Sequence, residues 1–235
     1  MPNLALTALL LLIMTCVTAT AQQQETAQPP DTMQARLLAC AACHGQHGEG
    51  TSNDYFPRLA GKPAQYLYNQ LAAFHIGRRR YPPMNYLLEY QQDGYLRAMA
   101  AYYAEQLPPA QAVPVITADK SVLEHGQNLV AQGAPDRGIP PCSACHGPAL
   151  TGMEPAIPGL LGLKPSYISA QLGAWRYGTR TATEPDCMQI VAGHLTEADV
   201  TAVAAWLASH PVEPTARPLP QGSLTMPLQC GSEPQ

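Results

Sequence analysis

A Cys-x-x-Cys-His motif occurs twice in this chain and constrains the fold more than any other feature of the sequence. The first copy runs from Cys40 to His44 and the second from Cys142 to His146. Two thiols at this spacing can each add across one vinyl group of haem, and the adjacent histidine can coordinate the iron. The sequence therefore predicts two covalently attached haem c groups, held by Cys40, Cys43, His44, Cys142, Cys145 and His146.

Zinc binding and thiol redox chemistry are the two alternatives for a Cys-x-x-Cys pair. A thioredoxin-like pair would follow a strand, and no strand pattern precedes either copy. A zinc site would have to join two pairs that lie about 100 residues apart, far beyond the spacing of zinc fingers. Because a histidine directly follows both pairs, we favour haem attachment for both.

The two motifs belong to a longer repeat that covers most of the chain. The motif residues match at an offset of 102, the segment from Pro57 at 101 and the segment from Met84 at 104. Apolar residues at helical spacing, ended by Gly or Pro, predict helices at 33–42, 64–76, 93–106, 119–132, 165–177 and 196–209. The predicted fold class is all-α, with two tandem helical domains that each enclose one haem.

The composition is compatible with this interpretation. The chain has two Phe and two Trp in 235 residues, which is few for a core of this size, and a haem in each half would supply a large apolar body. The formal net charge is −4, so there is no basic excess of the kind that nucleic-acid binding requires.

The N-terminus resembles a secretory signal peptide. Residues 4–17 are apolar, and Ala19-Thr20-Ala21 satisfies the small-residue rule for cleavage, although no Lys or Arg precedes the run. We expect a signal peptide at 1–21, an N-terminal domain at 22–112, a C-terminal domain at 113–212 and a proline-rich tail at 213–235. No later segment is long and apolar enough for a transmembrane helix, and peripheral membrane association stays open.

Two methionines are the candidates for the sixth ligand of each iron. Met84 and Met188 match in the repeat, and each lies in a predicted loop, 40 and 42 residues after its histidine. Methionine opposite histidine raises the potential of the iron, which suits electron transfer. The alternative for any methionine is that it fills a gap in a core, and we keep that interpretation for Met99.

These features resemble those of the di-haem class I cytochromes c of the cytochrome c4 type. The resemblance extends from about Met33 to His210 and includes both motifs, the Pro-x-Leu-x-Gly connectors and the paired methionines. It implies two cytochrome c folds with their haems close together. It also implies an electron carrier of the bacterial periplasm, whose redox partners are a donor complex or dehydrogenase and a terminal oxidase or other acceptor.

Three functions stay open at this point. The favoured one is an electron carrier without catalysis of its own, in which the irons have the ligand pairs His44/Met84 and His146/Met188. The second is the cytochrome subunit of a larger dehydrogenase, which would keep the same ligands. The third is a di-haem redox enzyme in which the thiolate of Cys187, directly before Met188, replaces that methionine at the iron.

Five basic residues in the first half form a second candidate site: Arg58, Lys62, Arg78, Arg79 and Arg80. A solvated basic face is the simplest interpretation. A docking surface for an acidic partner and a set of cations that neutralise haem propionates are the alternatives.

Cys187 and Cys230 remain once the signal peptide has removed Cys16 and haem has consumed the four motif cysteines. An even pair of cysteines outside the cytoplasm predicts a disulfide. Such a bond would fix the tail beside the Met188 segment and would exclude Cys187 as an iron ligand.

Overall fold

The computed structural model describes residues 31–107 and 115–233. Its helices in chain order are α1 (Met33–Arg36), α2 (Leu38–His44), α3 (Ala64–His75), α4 (Pro82–Leu88), α5 (Asp93–Glu105), α6 (Lys120–Gln132), α7 (Cys142–His146), α8 (Pro165–Arg176), α9 (Cys187–His194) and α10 (Glu197–Ala208). A two-stranded antiparallel hairpin, β1 (Gly152–Met153) and β2 (Ile157–Pro158), follows α7. The predicted signal peptide and the boundary expected at residue 112 lie outside the described residues.

The first hydrophobic core forms between α3 and α5. The buried residues of α5 lie at positions i, i+3, i+4 and i+7 and therefore share one face: Leu96, Met99, Ala100 and Tyr103. Leu67 and Phe74 face them from α3. Cys40 on α2 and Met84 on α4 pack against this same core. The first motif and its candidate methionine are thus carried by one cluster of helices.

The second core repeats this arrangement with α6, α8 and α10. Gly126 on α6 comes so close to α10 that a Cβ atom there would lie 2.2 Å from the carbonyl oxygen of Ala202. Only glycine permits this crossing, because any side chain would push the helices apart. Cys142 and Met188 pack against the second core. The two motifs therefore belong to separate cores, as two haem sites require.

The start of α10 is stabilised by two side chains of its first turn. The hydroxyl of Thr196 accepts a hydrogen bond from the main-chain N–H of Asp199 at 3.2 Å. The carboxylate of Asp199 accepts one from the N–H of Thr196 at 2.8 Å. This reciprocal capping box satisfies two N–H groups that the first turn of a helix leaves without partners.

Two segments predicted as loops begin short helices instead. α4 starts with Pro82 and Pro83, whose fixed backbone angle suits the first turn of a helix. α9 is capped by Asp186, whose carboxylate accepts a hydrogen bond from the N–H of Gln189 at 3.1 Å. Seven and eight residues are too short to show a helical period, so the sequence pattern missed both helices.

The proline-rich tail is attached to the second core at two points. The main chain of Leu219 pairs with that of Gly152 and of Glu154 at 2.9 and 2.8 Å. Further along, a disulfide joins Cys230 to Cys187, which confirms the predicted bond. Throughout the described ranges, no helix has the length and hydrophobicity needed to cross a membrane.

Candidate haem-binding sites

The histidine of the first motif is held in the orientation that an iron ligand needs. His44 ends α2 and is 8 % exposed. Its Nδ1 donates a hydrogen bond to the carbonyl oxygen of Pro57 at 2.9 Å, which leaves Nε2 for a metal. Burial lowers the pKa of His44, and Arg79 acts in the same direction. The imidazole is therefore neutral near pH 7, as coordination requires.

The histidine of the second motif has the same environment. His146 is 7 % exposed and its Nδ1 donates to the carbonyl oxygen of Pro158 at 2.7 Å. Burial lowers the pKa of His146 to about 4. Because Pro57 and Pro158 match in the repeat, the two connectors orient the two histidines in the same way.

A glycine follows each histidine because the chain turns there into a conformation that other residues avoid. Gly45 and Gly147 have φ angles of +83° and +84°. A side chain at this backbone angle would be strained. The backbone conformation therefore explains why a glycine follows each Cys-x-x-Cys-His motif.

The thiols of the motifs are free and positioned beside the histidines. Cys40, Cys43, Cys142 and Cys145 form no disulfide. Burial raises the pKa of the Cys142 thiol to about 11, so the sulfur stays protonated near neutral pH. Zinc binds thiolates, and no group of three or more His, Cys, Asp or Glu side chains that could hold a metal ion lies in the part of the chain that the structure describes.

The second motif opens onto a cavity of about 360 Å³ with a mostly apolar lining. Cys142, Cys145, His146 and Met188 all line it. Met226 of the tail lies along the same cavity. A large, mostly apolar space that has both a buried histidine and a methionine in its lining fits a haem group.

The two candidate methionines occupy matching places. Met84 lies on α4 and Met188 on α9, and each is partly buried against the core that carries the corresponding motif. Met99, interpreted as a core residue, is 4 % exposed in the first core. The structure thus brings Met188 to the second cavity.

The basic cluster predicted for the first half does not form a solvent-exposed surface. Arg58, Lys62 and Arg79 are 5, 6 and 8 % exposed and lie against the second half of the chain. Arg78 reaches the carbonyl oxygen of Ala182, also in the second half. The solvated face and the docking surface are therefore wrong interpretations for the buried residues, and of the five only Arg80 is exposed.

The contact between the two halves is built from matched residues. Arg79 donates to the side chains of Gln171 at 2.6 Å and Tyr167 at 2.9 Å. Arg180 donates in return to Gln70 at 2.7 Å and Tyr66 at 3.3 Å. Each residue of one set matches a residue of the other at the offset of 101. Arg180 was not among the predicted site residues, although the same offset relates it to Arg79.

Arg79 and Arg180 are also adjacent through their main chains, as an isolated antiparallel bridge. The N–H of Arg80 donates to the carbonyl oxygen of Thr179 at 3.0 Å, and the N–H of Thr181 donates to that of Arg78 at 2.8 Å. The loops that follow α3 and α8 therefore pair directly with each other.

Four buried cations meet at this contact: Arg58, Lys62, Arg79 and Arg180. None of them forms an ion pair with a carboxylate among the described residues. Burial lowers the pKa of Lys62 well below its usual range, and the neighbouring charges of Arg58, Arg180 and Arg79 add to the effect. Buried cations need anions. Haem carries two propionate groups, so the residues present fit haem in charge as well as in shape.

Two helical cores, each with a buried histidine directly after a Cys-x-x-Cys pair, define a c-type cytochrome. A family model described as Cytochrome c matches residues 33–117. The chain is 36 % identical over 189 residues to a protein of Thiomonas intermedia named thiosulfate dehydrogenase electron acceptor, which covers 80 % of this chain and 84 % of that protein. It is 34 % identical over 176 residues to cytochrome c4 of Pseudomonas aeruginosa, over 74 % of this chain and 85 % of that protein.

A solved structure gives the same result. The crystal structure of reduced recombinant cytochrome c4 from Pseudomonas stutzeri superimposes with a TM-score of 0.66 at 30 % identity, over 75 % of this chain and 95 % of that one. The chain belongs to the cytochrome c4-type family of di-haem cytochromes c. It is an all-α electron-transfer protein with two cytochrome c domains and covalently bound haem c, and the predicted fold class and family are confirmed.

Proposed function

We propose that this protein is a periplasmic carrier of single electrons with two haem c groups and no catalysis of its own. One haem is attached at Cys40 and Cys43 and the other at Cys142 and Cys145. The axial ligands are His44 with Met84 and His146 with Met188. The observation that carries the proposal is the matched placement of a buried, neutral histidine and a partly buried methionine in each of two separate cores.

Two features support a periplasmic location. The N-terminal segment has the composition of a signal peptide, and attachment of haem c to a Cys-x-x-Cys-His motif is completed outside the cytoplasm. The disulfide between Cys187 and Cys230 is of the kind that persists in an oxidising compartment.

The same disulfide weakens the catalytic alternative. A sulfur bonded to Cys230 has no negative charge and is a much weaker donor than a thiolate, so Cys187 does not supply a thiolate in place of Met188 while the bond is intact. Two six-coordinate irons would leave no open position for a substrate. This supports a carrier rather than a di-haem enzyme.

The electron donor that we propose is a thiosulfate dehydrogenase. The support is the similarity to the Thiomonas protein, whose name describes an electron acceptor for that enzyme. The acceptor in the next step is a terminal oxidase or another periplasmic redox protein. A tightly bound cytochrome subunit of the same dehydrogenase is the second candidate, because it would have the same sites and the same similarity.

Counting the haems tests the sites. The denatured, precipitated protein should retain two haems per chain, because thioether bonds survive denaturation. Replacing Cys142 and Cys145 with Ala should leave one, and replacing Cys40 and Cys43 should leave the other. Zinc in place of haem, or a single haem in the unaltered protein, would contradict the proposal.

Electron transfer from a purified thiosulfate dehydrogenase tests the donor. Mixed with the enzyme and thiosulfate, the oxidised cytochrome should become fully reduced, and it should remain oxidised with thiosulfate alone. Size-exclusion chromatography of the mixture separates the two candidates, since a carrier elutes alone and a subunit elutes with the enzyme. Reduction only by an unrelated dehydrogenase would reject the proposed donor and keep the carrier function.

A further inference from the structure

The buried cations are not distributed equally between the two halves of the repeat. Arg79 and Arg180 match each other at the offset of 101. At the same offset Lys62 matches Leu163, an apolar residue of the second core. Arg58 likewise matches Gly159. The connector after the first motif therefore carries two cations for which the connector after the second motif has no equivalent.

Both unmatched cations contact the second connector. Lys62 Nζ donates a hydrogen bond to the carbonyl oxygen of Gly159 at 2.7 Å. Arg58 donates through Nη2 to the carbonyl oxygen of Leu161 at 3.0 Å. Gly159 directly follows Pro158, whose carbonyl oxygen accepts the hydrogen bond that orients His146. The first half of the chain thus holds the segment that fixes the histidine of the second site.

Lys62 is the one of these two that also lines the second cavity. It does so together with His146 and Pro158, although it belongs to the first half of the chain. Its side chain is buried, so water and salt do not screen its charge as they would at the surface. The haem propionates are the anions that these buried cations need, so Lys62 keeps its charge in the haem-loaded protein and acts on the second site at close range.

We propose that Lys62 acts across the domain contact and that its charge raises the reduction potential of the second haem site relative to the first. The proposal rests on the proposed function, because it requires a haem at each motif. A nearby positive charge favours the reduced iron, which has one positive charge fewer than the oxidised iron. Arg79 and Arg180 are matched, so their effects on the two sites largely cancel in the difference.

The consequence is a direction for the electron within the molecule. In the singly reduced protein the electron should reside mainly on the second haem. Leu163, at the equivalent place in the second half, provides no charge that would favour the first haem. Lys62 therefore makes two domains of similar sequence unequal as electron acceptors.

A redox titration of the Lys62→Met variant of the complete haem-loaded protein tests the proposal. NMR signals of the main-chain N–H groups of Gly45 and Gly147, which directly follow the two histidines, report the oxidation state of each site separately. In the singly reduced protein, removal of the charge should lower the ratio of molecules reduced at the second haem to molecules reduced at the first by about tenfold. This is the size expected for one charge near a partly buried site. The midpoint potential that the Gly45 signal reports should be the same as in the unaltered protein.

Two further variants serve as controls, and a third replaces Lys62→Met if that variant does not fold. Lys62→Arg keeps the charge and should keep the original distribution between the sites. Arg80→Met removes an exposed cation from the same half and should also keep it, since solvent screens that charge. If Lys62→Met does not fold, Lys62→Gln removes the charge, retains a donor for Gly159 and has the same expected result.

An unchanged distribution in either folded neutral variant would overturn the role of Lys62. An equal shift at both sites would overturn it too, because the effect would then not be specific to the second haem. The haem count separates this from a failure of the proposed function. Two haems with no shift reject only the role of Lys62, whereas fewer than two haems in the unaltered protein reject both.

Discussion

The sulfur of Cys187, the residue directly before Met188, is bonded to the sulfur of Cys230, 43 residues further along the chain. The bond connects the first turn of α9 to the tail, and the next N–H in the tail, that of Gly231, donates to the carbonyl oxygen of Pro185 at 2.9 Å. The segment that carries the candidate methionine of the second site is thus fixed from outside its own helix.

Loss of this disulfide should destabilise the second domain. Closing a loop of this length contributes about 4 kcal/mol in the chain-entropy model, so the Cys187→Ser, Cys230→Ser double variant should lose free energy of unfolding by roughly that amount. Denaturant unfolding monitored by circular dichroism measures it. A reductant should lower the midpoint denaturant concentration of the unaltered protein and leave that of the double variant unchanged. Equal midpoint concentrations for the two proteins without reductant would contradict the prediction.

Replacement of Met188 should change the spectrum and the potential of one haem. Met188→Ala should remove about half of the weak long-wavelength absorption that methionine ligation gives the oxidised protein, and should lower one of the two potentials. Met84→Ala should remove the other half. Met99→Leu, a change in the first core, should preserve the band. Retention of the full band in Met188→Ala would show that another group is the ligand.

Asp199 is expected to stabilise the fold in a pH-dependent way. Burial raises the pKa of Asp199, but hydrogen bonds from Arg137 and Thr196 outweigh it, and the pKa lies well below its usual range. A carboxyl group with a depressed pKa in the folded state contributes stability above the pKa of the unfolded chain, about 4, and loses it as the pH falls further.

The Asp199→Asn variant tests this contribution. It should be about 2 kcal/mol less stable than the unaltered protein at pH 7, and the difference should shrink as the pH falls below about 4. Unfolding free energies measured between pH 7 and pH 3 give the comparison. Glu213→Gln, which changes an exposed carboxylate of the tail, should leave the curve unaltered. A difference that is constant with pH would exclude ionisation as the cause.

The contact between the domains should show strong coupling between matched pairs. In a double-mutant cycle, Arg180→Met and Gln70→Leu should couple by about 1–2 kcal/mol, because each removes the partner of a buried polar group. Arg79→Met and Gln171→Leu should couple by a similar amount, since the same contacts occur in reverse. Arg97→Met combined with Gln70→Leu should be additive, because Arg97 is exposed and bonded to Asp93. Additivity in both matched cycles would contradict the assigned hydrogen bonds.

The motifs, the repeat and the five longer helices, α3, α5, α6, α8 and α10, could be predicted because each depends on residues close together in sequence. The single helix predicted at 33–42 is divided at Leu37 into α1 and α2. The cap at Thr196 is an example, since both of its partners lie within four residues. The helices α4 and α9 could not be predicted, because seven or eight residues are too few to show a helical period. Their first residues are determined by Pro82 and Asp186. The disulfide was predicted from the count of cysteines, which leaves only one pair.

The burial of the basic residues could not be predicted from their neighbours in sequence. Arg78-Arg79-Arg80 resembles a solvated run, and only the packing of the two halves shows that Arg79 is buried against Gln171 and Tyr167. The necessary signal was the match between Arg79 and Arg180 within the repeat. A charged residue that recurs at equivalent places beside matched Gln and Tyr residues indicates a contact between the copies.

The reciprocal contacts of Arg79 and Arg180 have the form of a two-fold interface, in which each copy offers the other the same surface. Homodimers of identical subunits associate in this way, and their assembly depends on protein concentration. In this chain the two copies are covalently joined, so each meets its partner at any dilution. Covalent linkage also allows the copies to differ, so one copy can have a lysine at the position where the other has a leucine, whereas a symmetric dimer would have to place the same residue twice.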